Sequence, residues 1–141
     1  MRHQVTVPID ATANVAWLVL ADLERWPTWT ASMKKVEPLG GGDLVEGLRV
    51  RVKQPRQLAA VFEVTEVDRG RSFAWVSKAP GITTTATHTL EDTARSKSKV
   101  TLTLEMVGPL SGIVGALFGR RIRRYVRMEA RGLAKAAALA P

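Results

Sequence analysis

Cysteine is absent from the 141-residue sequence. That excludes a disulfide framework, a thiolate metal site and a cysteine nucleophile, and a chain without thiols fits the cytoplasm as the expected location. Histidine is nearly as scarce: two residues far apart, His3 and His88, build no transition-metal site. No apolar run reaches the roughly 20 residues of a membrane span, and the start of the chain, Arg2 followed by alternating residues, is unlike a secretory signal. The expectation is an unprocessed protein with no transmembrane segment. Nucleotide-binding fingerprints are missing too. Gly40-Gly41-Gly42 lacks the Lys-Ser/Thr of a phosphate loop and reads as a hairpin turn, no Gly-x-Gly-x-x-Gly element follows a strand, and Ser77 and Ser111 lack a nucleophile-elbow context. Neither a metal nor a cofactor is expected.

What is present is an ordinary globular composition, 45% hydrophobic and 24% charged, with 21 Lys plus Arg against 13 Asp plus Glu for a net charge of +8. The length matches one domain, 1–141, with a single core. Val5, Val7 and Ile9 alternate on one face of a first strand, and Pro8 suits a sheet edge. Asp10 and Thr12 are capping residues for a helix carrying Val15, Leu18 and Val19 inward and ending near Asp22. Strands return from Met33. Leu48, Val50 and Val52 oppose Arg49, Arg51 and Lys53, and Phe62, Val64 and Glu66 share one face before the turn Asp68-Arg69-Gly70. Phe73 and Trp75 mark the next strand; Ile82, Thr84, Ala86, His88 and Leu90 form one face of another, and Val100, Leu102, Leu104 and Met106 one face of the last.

Gly108-Pro109 ends the strands, and from Leu110 the apolar period becomes helical. Leu110, Val114, Leu117, Phe118, Ile122, Tyr125, Met128, Gly132 and Ala136 fall on one broad face, with Arg120, Arg124, Arg127, Arg131 and Lys135 opposite. Gly112, Gly115 and Gly119 lower helix propensity by about 1 kcal/mol each and predict a kinked or frayed start. The fold class is α+β: a curved antiparallel sheet of six to seven strands around a long C-terminal helix, with short helices between the first two strands. A helix roughly 10 Å wide cannot fill the concavity of such a sheet, whose strands lie about 4.8 Å apart. A cavity follows from the geometry.

Asp22-Leu23-Glu24-Arg25-Trp26-Pro27-Thr28-Trp29 resembles the Trp-Pro-x-Trp element of the polyketide cyclase/dehydrase-like branch of the START (SRPBCC) and birch-pollen-allergen-related superfamily. Val64-Thr65-Glu66-Val67-Asp68, Arg71-Ser72-Phe73-Ala74-Trp75, His88-Thr89-Leu90-Glu91 and the Gly-Pro before the long helix follow in the same order, so the resemblance runs from Val5 to about Ala138. It implies a helix-grip fold with a ligand cavity between sheet and helix. It transfers no catalytic residue, because such folds serve carriers, receptors and enzymes alike.

The candidate site is therefore drawn from side chains facing the cavity. Trp26 and Trp29 belong near its mouth, either lining an entrance or plugging the end of a small core. Trp75, on an inner strand face, serves as lining or as core, and Phe118 on the helix faces the same space. His88 is inward by parity, either as acid, base or anchor for a polar ligand atom, or as a core histidine satisfied by a neighbour. Glu129, the sole acid of the terminal helix, lies away from its arginines. It pairs with Tyr125, His88 or Arg121, or sits at the rim with Arg131. A Glu129, Tyr125 and His88 cluster is the best polar constellation available.

Between Arg120 and Lys135 there are seven cations and one anion, so most of the net charge lies on one helix. Cations toward a helix C-terminus complement its dipole. The same face, Arg120, Arg124, Arg127 and Arg131, suits weak contact with an anionic membrane or acidic partner; nucleic acid is not expected, since interleaved aromatics for base stacking are absent. Three functions remain open: binding of a small hydrophobic molecule, an acid/base cyclase or dehydratase using His88 and Glu129, and a peripheral interaction protein using the arginine face.

Overall fold

A computed structural model describes residues 1–140. The elements run β1 (Arg2–Ile9), α1 (Ala13–Ala21), a 3-10 turn (Leu23–Arg25), α2 (Trp26–Trp29), β2 (Lys35–Pro38), β3 (Arg49–Lys53), β4 (Ala60–Asp68), β5 (Ser72–Ala79), β6 (Ile82–Ala94), β7 (Lys97–Val107) and α3 (Ser111–Leu139). All strands form one antiparallel sheet of seven in the order β1-β7-β6-β5-β4-β3-β2. The α+β helix-grip arrangement expected from the sequence is present. β1 is an edge strand, so Pro8, facing Lys99 across the ladder, costs no central hydrogen bond.

Alternation in β6 and β7 aligns their inward residues, with Ala86 opposite Leu104 and His88 opposite Leu102. In β4 the alternation breaks. A bulge between Val64 and Glu66 shifts the register, so Val67 packs against the core and Glu66 is exposed, contrary to the unbroken parity expected for Phe62, Val64 and Glu66. The extra residue keeps a carboxylate out of the apolar interior.

Thr12 caps α1 by accepting from the Val15 N–H, and Asp92 accepts from the Ala13 N–H. The buried face of α1 is Ala13, Ala16, Trp17 and Leu20, whereas Leu18, expected inside, is 72% exposed. α1 is apolar on nearly every side, so periodicity gives it no direction; the position of Trp17, edge-on to Phe73, sets it.

α3 is continuous over 29 residues, with no fraying at Gly112, Gly115 and Gly119. Its C-terminal half buries Ala130, Leu133 and Ala137 against α1, α2 and the sheet. The first half is different. Leu117 is 70% exposed, and Leu110, Ile113 and Phe118 are exposed as well; no residue of the face expected from Leu110 to Ala136 is fully buried, and α3 instead buries the neighbouring face of Glu129, Ala130, Leu133 and Ala137. The junction before α3 is fixed by close backbone approach: a Cβ on Gly108, at φ +119°, would lie 2.5 Å from the Gly81 carbonyl oxygen. Only glycine tolerates that geometry.

Candidate ligand cavity

The open half of α3 leaves a cavity of about 580 Å³ between the helix and the concave face of the sheet, within the range of small-molecule sites. Phe62, Trp75, Ile82, Ala86, Leu104 and Met106 line it from the strands, and Val114, Phe118, Ile122, Tyr125, Val126 and Glu129 from α3. One side of the lining comes from α3 and the β3–β4 loop, where Leu58 is 93% exposed. Two bonds clasp that loop to the helix. The Tyr125 hydroxyl donates to the Pro55 carbonyl at 2.7 Å, and an Arg121 guanidinium N–H donates to the Arg56 carbonyl at 3.3 Å.

His88 and Glu129 meet at the cavity wall, both buried. His88 Nε2 lies 3.7 Å from Glu129 Oε2. That is close enough for charge interaction and too long for a hydrogen bond. Nδ1 of His88 has no hydrogen-bond partner among the described residues. Nδ1 is enclosed, so a polar atom of a ligand would meet the pair at His88 Nε2 or at the Glu129 carboxylate. Aromatic rings hold the imidazole in place. Phe73, its direct partner across the β5–β6 ladder, stacks on it with centroids 4.2 Å apart and planes 8° apart, Trp75 meets it edge-on at 90°, and Trp26 lies at 5.6 Å.

The structure brings Trp75, His88, Phe118, Tyr125 and Glu129 to the cavity. Trp26 and Trp29 do not line it; they take the plugging role, not the entrance role. Trp26 is fully buried behind the cavity wall, its indole N–H donating to the Leu20 carbonyl at 2.8 Å, and Trp29 packs beside it against α3 at Gly132. Pro27 in the first turn of α2 lets a four-residue helix place both indoles on the core side. The expected three-residue cluster is also corrected: Tyr125 spends its hydroxyl on Pro55, leaving Glu129 with His88 rather than with Tyr125, Arg121 or Arg131. Phe62 and Phe73 were within reach of sequence reasoning, since both sit on inward parity, but their roles depend on cross-strand register. The arginines Arg120, Arg124, Arg127 and Arg131 are exposed as expected. The helix dipole does not account for them, because the last turn of α3 carries no basic residue.

A seven-stranded antiparallel sheet gripping one long helix around an apolar, partly polar-walled cavity defines the class of helix-grip proteins. Within it, the chain belongs to the family described as polyketide cyclase / dehydrase and lipid transport, whose model matches residues 2–138. No curated protein matches the sequence. Solved structures that resemble it include the ZhuI aromatase/cyclase from Streptomyces sp. R1128, at 18% identity and a TM-score of 0.77 over 97% of this chain and 93% of that one. A hypothetical protein from Helicobacter pylori superposes with a TM-score of 0.80 at 13% identity, over 96% of this chain and 86% of its own. The di-domain aromatase/cyclase BexL of the BE-7585A biosynthetic pathway matches at 17% identity and a TM-score of 0.74, over 96% of this chain and 45% of BexL. At these identities the likeness establishes the fold. Among the described residues, no helix is long and apolar enough to cross a membrane.

Proposed function

We propose that this protein binds a small hydrophobic molecule, lipid-, polyketide- or aromatic-like, in the cavity between its sheet and C-terminal helix. The observation carrying this reading is the cavity itself: about 580 Å³, mostly apolar in lining, with His88 and Glu129 as a convergent polar pair. An aliphatic and aromatic lining with few polar groups is the common form of a small-molecule site. Nile red, a neutral apolar dye, should bind saturably with one site per chain. Ala86→Trp, which projects an indole into the cavity, should weaken that binding by about tenfold or more while the circular dichroism spectrum is retained. Absence of saturable binding, or an unchanged affinity in a folded Ala86→Trp variant, would overturn the reading.

A cyclase- or dehydratase-like role is the second reading, favoured by the 3.7 Å separation of His88 Nε2 and Glu129 Oε2. One group would take a proton from the carbon beside a ketone, and the other would return a proton to the departing β-hydroxyl, releasing water and leaving an enone. The probe is 4-hydroxy-4-phenylbutan-2-one, followed by enone absorbance. His88→Ala and Glu129→Gln should each lower turnover by about a hundredfold or more. A rate equal to the buffer rate for the wild type would remove this reading and leave the binding reading standing.

A further inference from the structure

Beside the cavity lies a second depression of about 490 Å³, lined by Arg56, Arg120, Arg121 and Arg124 together with Ala31, Pro55, Tyr125 and Met128. It contains no carboxylate. Arg56, Arg121 and Tyr125 line both spaces, so the two are adjacent and share a wall at the clasp between α3 and the β3–β4 loop. None of these four arginines takes part in an ion pair among the described residues, although six such pairs occur elsewhere. The one polar contact found for their side chains is the Arg121 bond to the Arg56 carbonyl. Four permanent cations in one groove repel one another, an effect that water and salt soften at the exposed Arg120 and Arg124 and that an anion among them would relieve. The helix dipole gives no relief, since Arg120, Arg121 and Arg124 sit well inside a helix running from Ser111 to Leu139.

We propose that this groove is an anion subsite, and that the bound molecule is an amphiphile: its apolar body in the cavity, its phosphate-class head group on Arg56, Arg120, Arg121 and Arg124. This rests on the binding reading above. Phosphate is favoured over carboxylate because a dianion with three free oxygens can accept from more than one planar guanidinium fork at once. An apolar chamber and a cationic groove that share Arg56, Arg121 and Tyr125 as a common wall suit a molecule with both parts, its junction crossing that wall.

Displacement of Nile red separates the two claims. Dodecyl phosphate below its micelle concentration should displace the dye at a concentration about tenfold or more below that needed for dodecanol, and the advantage should shrink with added salt. Arg120→Gln with Arg124→Gln, neither of which lines the cavity, should abolish most of the advantage and leave dye binding intact. Arg127→Gln with Arg131→Gln, the same charge change outside the groove, should leave the advantage in place. Equal potency of dodecyl phosphate and dodecanol, with normal dye binding, overturns the subsite alone; failure of the dye to bind overturns the cavity reading and the subsite together. Flotation with phosphatidic acid vesicles distinguishes a membrane contact. If the Arg120/Arg124 variant loses vesicle binding yet keeps its preference for monomeric dodecyl phosphate, the groove is a membrane surface and the head-group proposal is refuted.

Discussion

Gly132→Ala sets helix propensity against packing. In the interior of an exposed helix an alanine is better than glycine by about 1 kcal/mol. At 132, however, α2 crosses α3 at backbone distance. A Cβ there would fall well inside the van der Waals radius of the Trp29 carbonyl oxygen, and 3.2 Å from the Trp29 carbonyl carbon and ring carbon Cε3. Restoring a normal C···O separation of about 3.3 Å means moving two backbones apart by about 1 Å. Neither partner is the free end of a flexible side chain, so the strain spreads to Trp26 and the aromatic group behind the cavity. A clash with backbone this deep belongs at the upper end of overpacking costs, about 2–3 kcal/mol, and the propensity gain of about 1 kcal/mol offsets only part of it. The expected net loss is about 1–2 kcal/mol in urea denaturation, with an unchanged dependence on urea concentration. Gly115→Ala is the matched control: its Cβ would meet only Met1 side-chain atoms at 3.5 Å and beyond, so the same substitution should stabilise by about 0.5–1 kcal/mol. If Gly132→Ala were as stable as the wild type or more so, α2 would not be pinned on α3 as described.

Trp26→Phe removes the indole bond to the Leu20 carbonyl and leaves a void among Phe73, Trp75 and His88. It should cost about 2–3 kcal/mol and reduce the near-ultraviolet circular dichroism; a loss below about 1 kcal/mol would mean that the aromatic group closes around the smaller ring. Burial, with the Arg123 and Arg127 guanidiniums, holds the His3 imidazole below its usual pKa of 6.5. Because the folded chain takes up this proton less readily than the unfolded chain, the stabilising contribution of neutral His3 is present above pH 6.5 and declines as the pH falls below it. A nuclear magnetic resonance titration should give His3 a midpoint below 6.5 that rises in Arg123→Gln with Arg127→Gln; a wild-type midpoint at or above 6.5 would contradict the assigned environment.

The wet-faced strands were the most legible part of the sequence. β6 and β7 alternate without interruption over the residues that face the cavity, and that parity alone turned His88, Leu104 and Met106 inward. β4 misled, because a bulge is invisible to a period of two and Glu66 was carried to the wrong face. α1 misled for the opposite reason: with apolar residues on nearly all sides, the sequence contains no preferred direction. In α3 the helical period was right but the face was not: Leu117 is exposed, while Ala130, Leu133 and Ala137, about 100° or more round the helix from the middle of the expected stripe, are buried. His88 with Glu129 could be anticipated, since both are lone polar residues on apolar faces. Their separation from Tyr125 could not, because it depends on where the β3–β4 loop brings the Pro55 carbonyl. The Trp-Pro-x-Trp element identified the family, and of the two roles open to its indoles, entrance or plug, they take the plug.

The cavity also bears on thermodynamic linkage. Atoms lining a chamber of about 580 Å³ lack the neighbours that a packed interior supplies. A molecule that binds there joins only the native state, and at a hundred times its dissociation constant it would add about 2.7 kcal/mol to the free energy of unfolding. For a domain of this size that corresponds to a melting temperature about 5–10 °C higher. Resistance to heat would therefore vary with the supply of ligand in the surroundings, and the same chain would be short-lived when starved of its ligand and durable when filled.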